Sequence, residues 1–185
     1  MNGPARASQP PRQSPDGALR LRPLGRGDEA AFRNALQVMA AEGFTFGFGF
    51  EPGVDWITYL KSLDARQQGM DLPDGQVPVT FLVAEVAGII VGRTSIRHEL
   101  SASFERRGGH IGYCVLPGHR RRGYATEILR QSLIIARAIG VERVLVTCDD
   151  DNAGSIAVIE RCGGKLDSVI TAVPSGPPIR RYWID

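Results

Sequence analysis

Residues 117–126 read PGHRRRGYAT. Arg120, Arg121 and Arg122 run into Gly123, and an apolar periodic segment follows. Such a run has three readings: a basic patch for nucleic acid, a solvated surface run, or a cradle for one specific anion. Its surroundings favour the third, because it joins the apolar run HIGYCVL to the start of an amphipathic helix. The first amides of a helix lack intrahelical acceptors, and the helix dipole adds partial positive charge there. Gly123 removes a side chain where a ligand approaches, Ala125 keeps the third position small, and Thr126 adds a hydroxyl in the first turn. Successive amides can then wrap a phosphate or pyrophosphate. Two common phosphate motifs are absent: there is no GxxxxGK followed by Ser or Thr, and no GxGxxG after a strand. What is present is Arg-x-x-Gly-x-Ala.

The cysteines offer less. Cys114, Cys148 and Cys162 are odd in number, form no CxxC and have no zinc spacing. Each sits in an apolar context (YCVL, VTCD, ERCGG), so they read as buried free thiols in a reducing cytosol.

The elements that position these residues follow from periodicity. Ala18–Leu24 alternates apolar and basic residues and predicts a first strand. Asp28 caps a helix to about Glu42, with Ala31, Ala35, Val38 and Met39 inward. A glycine- and phenylalanine-rich stretch, GFTFGFGFEPG, precedes a second helix over about Val54–Gln68 that buries Trp56, Ile57, Tyr59, Leu60 and Leu63. Val79–Val86 and Ile89–His98 form a hairpin about Ala87-Gly88. Leu100–Gly109 is a polar connection, His110–Leu116 the next strand, and Gly123–Ile139 a helix with Ala125, Ile128, Leu129, Ser132, Ile135, Ala136 and Ile139 along one face. Arg143–Cys148 is nearly all apolar and predicts a central strand. Asp151 or Asn152 caps a helix to about Cys162, ended by Gly163-Gly164, and Leu166–Ala172 and Ile179–Asp185 close the chain as strands. Three consecutive strands make a meander, so the sheet is mixed.

Composition bounds the classes. The 185 residues suit one domain with a real core, and 43% hydrophobic and 23% charged residues fit a soluble globular protein. Net charge is only +2, whereas a general nucleic-acid binder carries a larger surplus. Apolar runs fall far short of the roughly 18 residues of a membrane span. Residues 1–17, MNGPARASQPPRQSPDG, lack the apolar core of a signal peptide and read as a disordered leader ahead of a single domain over 18–185.

The Arg-x-x-Gly-x-Ala stretch resembles the signature of the GNAT superfamily of acyl-CoA-dependent N-acyltransferases, Gln/Arg-x-x-Gly-x-Gly/Ala between the fourth strand and third helix. Arg120, Gly123 and Ala125 match it, and Pro117 fits the usual run-in. DDDNAGSIAVIERCGGKL resembles the family's next block, in which Asn-x-x-Ser/Ala opens a helix that ends at glycine. Asn152, Ser155 and Gly163 match at the expected distance. The close resemblance covers about residues 109–165, and the order of elements agrees from Ala18 onward. GGHIGY, GGKL and RYWI look like features of a group of bacterial acetyltransferases, which adds nothing on substrate.

The resemblance implies an α/β (α+β) GNAT fold: a mixed central sheet flanked by helices, with splayed fourth and fifth strands, here His110–Leu116 and Arg143–Cys148. Between them the pantetheine arm of acetyl-CoA slots like a missing strand. Amides and carbonyls of Cys114, Val115 and Leu116 would bond the pantetheine or polarise the thioester carbonyl. Amides of Arg121, Arg122, Gly123, Tyr124 and Ala125 would hold the pyrophosphate, beside the signature Arg120 and the Thr126 hydroxyl. The Arg121 and Arg122 side chains reach the 3′-phosphate or face solvent, and Asn152 and Ser155 lie beside the pantetheine and thiol end. The implied reaction is direct attack of an amine, from a small molecule or a peptide, on acetyl-CoA in a ternary complex. No metal, nucleic acid or membrane is implied. The expected location is the cytoplasm, and a homodimer stays an option.

The proton carriers are less defined. His110 aligns with the glutamate base of the histone-acetylating branch, and an unperturbed pKa of about 6.5 suits a base near neutrality. A strand-end histidine that orders water or the neighbouring loop is the other reading. Alternation puts Gly112 and Cys114 on its face and Tyr113 on the other. The family's tyrosine acid, seven positions after the asparagine, is replaced by Ile159. Tyr182 and Tyr124 are substitutes, or the thiolate leaves unaided. Cys114, with no evident His/Asp partner, reads as a packing or backbone contact.

The acceptor side falls to 44–56 and 173–182, where Phe44, Phe46, Phe48, Phe50 and Trp56 gather, with Trp183 adjacent, as a satellite of the core or as pocket walls. Glu51, Asp55, Glu99 and Glu105 would suit an amine cation, whereas Arg97, Arg180 and Arg181 would suit a carboxylate or phosphate. A non-catalytic acyl-CoA sensor on the same fold is the competing function.

Overall fold

The computed structural model describes residues 17–51, 53–70, 72–171 and 176–185. The expected leader and residues 172–175 therefore lie outside the described residues, apart from Gly17.

Strands β2 (Val79–Val86) and β3 (Ile89–Arg97) are rich in β-branched residues and close on a two-residue turn. Ala87 and Gly88 both take positive φ, 48° and 80°, which matches the twist of a tight hairpin. With β1 (Arg20–Arg22) and β4 (Ile111–Val115) they form an antiparallel sheet in the order β1-β2-β3-β4. β2 and β3 are buried on both faces, because helices cover the sheet from both sides. On one side α1 (Glu29–Ala40) and α2 (Trp56–Gln67) bring Phe32, Met39, Trp56 and Tyr59 against Phe81 and Val83. On the other, α4 (Tyr124–Ala138) lays Ile128 against Ala84, Val91 and Val115. Burying each such side chain contributes roughly 1.5–3 kcal/mol. Ser132 enters this apolar interface with its hydroxyl satisfied, donating to the Ile128 carbonyl at 2.7 Å and lying 2.9 Å from the Thr94 hydroxyl, from which it can accept.

A second antiparallel sheet, in the order β5-β7-β6, comprises β5 (Val144–Asp149), β6 (Lys165–Ile170) and β7 (Ile179–Ile184). Helix α5 (Ala153–Arg161) follows β5, and Ile159 is fully buried with Leu129, Val146 and Tyr182. All described ladders are antiparallel, since β4-α4-β5 runs between the two sheets and β5-α5-β6 joins two strands that β7 separates.

Several expectations need correction. β5 is an edge of its sheet rather than its centre, and its apolar run reflects burial between the two sheets. Asp28 does not cap α1; its carboxylate accepts the Gly25 amide at 2.7 Å and pairs with Arg22, so it closes the turn before the helix. Phe32, not Ala31 or Val38, lies on the inner face of α1; those two are exposed. The polar connection before β4 contains one helical turn, α3 (Ala102–Arg106), too short and too exposed to leave an apolar period. The three cysteines are free thiols, half-buried rather than buried. Among the described residues no helix is long and apolar enough to cross a membrane.

Candidate active site

The two sheets meet at one point and then part. The His110 amide donates to the Leu145 carbonyl at 2.7 Å, and beyond it no ladder joins β4 to β5. Gly109 makes this junction possible. It takes φ 61°, and a Cβ there would stand 2.4 Å from the Leu145 oxygen. His110 also turns its own carbonyl to the Arg97 amide at 2.7 Å. That leaves the Leu145 amide without a main-chain partner, and the His110 ring supplies one: Nδ1 accepts it at 2.9 Å. His110 thus ties three strands at the apex of the splay.

This engagement decides what the ring can do. The neutral ring with Nδ1 accepting carries its proton on Nε2, so neither nitrogen keeps a free lone pair. Burial, then the Arg97 charge, lower its pKa, and the residue is only 8% exposed. His110 lines neither of the clefts described below.

Away from the apex the splay opens into a cleft of about 740 Å³ between β4, the start of α4 and α5. Every expected cofactor residue lines it except Leu116 and Arg122. The Leu116 amide is taken by the Val91 carbonyl at 2.9 Å, and the Arg122 guanidinium turns to the Gly118 carbonyl at 3.3 Å. The start of α4 is an open nest. Arg121 and Gly123 adopt left-handed φ of 64° and 84°, which turns successive amides toward one concavity. Among the described residues, no amide from Arg121 to Thr126 donates to a protein acceptor; Glu127 is the first, to the Gly123 carbonyl at 3.2 Å. A Cβ on Gly123 would meet nothing within 4 Å. These six amides and the open space before them fit a pyrophosphate. Arg120 is different: its guanidinium forks onto Glu42 at 3.1 and 2.5 Å and donates to the Val115 carbonyl at 3.1 Å. It shapes the cradle rather than facing it. Across the cleft, Asn152 caps α5 by accepting the Ser155 amide at 2.9 Å. Arg161, which the sequence reading did not single out, lines the same cleft.

A second cleft, of about 290 Å³, adjoins the first and shares Phe44, Tyr113, Asn152 and Ser155 with it. Tyr113 stands at the junction. Its hydroxyl is buried and has no hydrogen-bond partner. Burial pushes the phenol pKa well up. Tyr182 is elsewhere: fully buried in the core, it donates its hydroxyl to Glu160 at 3.2 Å and lines neither cleft. Tyr124 lines the cradle cleft. Burial raises the Cys114 thiol pKa, which disfavours a nucleophilic thiolate there.

The expected acceptor residues divide. Phe44 and Phe48 line the second cleft, whereas Phe46 and Trp56 belong to the core and Phe50 packs on Phe32 and Tyr59. Trp183 lies beside His110 and Arg143. Asp55 caps α2 through the Thr58 amide at 2.9 Å, and neither Glu51, Glu99 nor Glu105 lines the cleft. Arg180 pairs with Asp150 and Arg181 with Asp167, so of the three candidate arginines only Arg97 reaches the cleft. Arg93 and Arg107 join it. Arg93 was legible in principle, as a lone charge inside the apolar run of β3. Among the described residues no cluster of His, Cys, Asp or Glu could hold a metal.

A family model described as an acetyltransferase (GNAT) domain matches residues 18–165. Comparison with curated proteins gives no significant match. Solved structures share the fold. A spermidine N-acetyltransferase from Vibrio cholerae, in complex with CoA and spermine, is 15% identical over 90% of this chain and 94% of its own, with a TM-score of 0.60. RimJ from Mycobacterium smegmatis, in complex with CoA-disulfide, is 21% identical over 91% and 82%, at 0.65. An acetyltransferase from Agrobacterium tumefaciens is 22% identical over 100% and 99%, at 0.58. With the splayed sheets, the amide nest and a family match over most of its length, the chain belongs to the GNAT acetyltransferase family.

Proposed function

We propose that the protein moves an acetyl group from acetyl-CoA to a primary amine, of a small molecule or a peptide, by direct attack in a ternary complex. The observation that carries this is the row of amides from Arg121 to Thr126 with no protein acceptor, facing a cleft that opens into a second one. When bound, acetyl-CoA supplies an activated acyl group. The amides of Arg121–Thr126 hold its pyrophosphate, Arg120 and Glu42 fix the loop, and the cleft edge of β4 at Cys114 and Val115 takes the pantetheine arm. The second cleft admits the amine, and the two meet at Tyr113, Asn152 and Ser155. Catalysis is then chiefly positioning.

His110 acts as the joint of the two sheets, because its Nδ1 is occupied by Leu145. The amine sheds its proton to solvent in the open cleft, so the rate follows the neutral fraction of the amine. Tyr113, whose hydroxyl is otherwise unpartnered, donates a hydrogen bond to the departing sulfur, in place of the acid that Ile159 and the buried Tyr182 do not supply, and the thiolate takes its proton from solvent. The test is thiol release from acetyl-CoA across a panel of amines and peptides. Turnover whose pH profile shifts with the amine's own pKa supports the reading. Tight CoA binding with no turnover on any member would instead make the protein an acyl-CoA sensor.

A further inference from the structure

The second cleft has an electrostatic feature that acetyl transfer alone does not require. Three guanidiniums line it, Arg93, Arg97 and Arg107, against one carboxylate, Asp149. Asp149 is already paired with Arg107, at 3.5 Å. Arg93 and Arg97 have no carboxylate partner among the described residues.

Arg93 is removed from water, and Arg97 is half-buried. Arg93 is 9% exposed. Only neutral groups hold it: the Gly112 carbonyl and Ser95 hydroxyl at 3.2 Å, the Thr45 carbonyl at 3.2 Å, and the faces of Phe44 and Phe81. Arg97 rests on the Phe104 ring at 4.0 Å and donates one amino group to the Gly108 and Gly109 carbonyls. The Nε–H of each arginine is buried and unpartnered. Burial, then the Arg93 charge, bring Arg97 down to about 10. Two like charges four residues apart on one strand, fixed in place and short of donors' partners, form a site of unmet positive charge.

Buried charges in proteins are normally paired, and a guanidinium fork matches the two oxygens of a carboxylate or phosphate. We infer that the acceptor is an amine that also carries an anionic oxygen group, a carboxylate or phosphate, bound by Arg93 and Arg97 while its amine faces Tyr113 and the thioester end of the cofactor cleft. A free amino acid or an aminoalkyl phosphate has this form. A polyamine does not, because it would bring more positive charge into a pocket that already has an excess.

The inference rests on the acetyl-transfer reading but is tested separately, by binding. Matched pairs are titrated calorimetrically into the protein saturated with CoA: free amino acids against their amides, and 2-aminoethyl phosphate against 2-aminoethanol, with spermidine as the cationic probe. The anionic member of at least one pair is expected to bind about tenfold or more tighter than its neutral partner, and spermidine not to bind. The two pairs distinguish carboxylate from phosphate. Arg97→Gln should cut the preference at least fivefold while leaving the CoA dissociation constant unchanged, since Arg97 lines only the acceptor cleft. The comparison within wild-type pairs stands even if a variant does not fold. Neutral members binding as tightly as anionic ones in both pairs, or spermidine binding best, would overturn the inference. Anion-selective binding without turnover would keep the inference and overturn the transfer reading. Turnover of neutral amines without anion preference would do the reverse.

Discussion

Replacing His110 separates a joint from a base. In His110→Ala the Leu145 amide, buried between the sheets, loses its only acceptor. An unsatisfied buried donor costs about 1–3 kcal/mol, and the lost ring leaves a cavity that adds to it, so about 3 kcal/mol is expected. For a domain of this size that is roughly 6–12 °C in Tm. His110→Asn is the informative change, because its side-chain oxygen can stand where Nδ1 stands and accept the same amide. It should recover most of the loss at pH 7.5. The native pKa is depressed, so the unfolded state binds the proton first as pH falls. Stability contributed by the neutral ring is therefore complete above about pH 6.5 and declines below it, by up to about 1.4 kcal/mol per pH unit. His98 titrates in the same direction and remains in both proteins. The difference between wild type and His110→Asn isolates the joint: below pH 6.5 the wild type should lose stability faster. Urea melts from pH 5 to 8, with initial rates at pH 7.5, make the measurement. If His110→Asn folds and binds CoA normally yet loses 100-fold or more in kcat, His110 is a general base and the joint account is wrong.

Tyr113→Phe should remove an unsatisfied hydroxyl, leaving stability unchanged or raised by about 1 kcal/mol, while kcat falls about tenfold or more at constant KM. Thermal melts beside steady-state rates check both, and an unaltered kcat would show that the thiolate leaves unaided. Asn152→Ala removes the cap of α5 and should cost about 0.5–2 kcal/mol, read by urea melts, with a weaker KM for acetyl-CoA because α5 walls the cleft proposed for it.

Much of this was legible in the chain. The hairpin of β2 and β3 was legible to within one residue, His98 lying just past β3, because β-branched strands flank a two-residue turn. The start of α4 was legible because a glycine between a strand and an amphipathic helix has a local meaning, and the amides around Gly123 need no tertiary partner to point forward. Side-chain roles were harder, since they depend on what lies across a gap. His110 has the pKa of a base in isolation, and only the position of Leu145 shows its Nδ1 occupied. Tyr182 follows a strand pattern that does not say whether its hydroxyl meets a cleft or Glu160. Arg180 and Arg181 looked like Arg97 until Asp150 and Asp167 were found beside them. Tyr113 was assigned the correct face of β4, but its place between two clefts required both sheets.

The most direct test of the cradle is calorimetric titration of CoA into wild type, Gly123→Ala and Gly123→Glu. At φ 84° both variants carry the same left-handed strain, and the added Cβ clashes with nothing, so both should fold. Gly123→Glu alone puts a carboxylate where the proposed pyrophosphate would sit. The cradle predicts CoA binding in Gly123→Ala and none in folded Gly123→Glu; a wild-type dissociation constant in Gly123→Glu would contradict it.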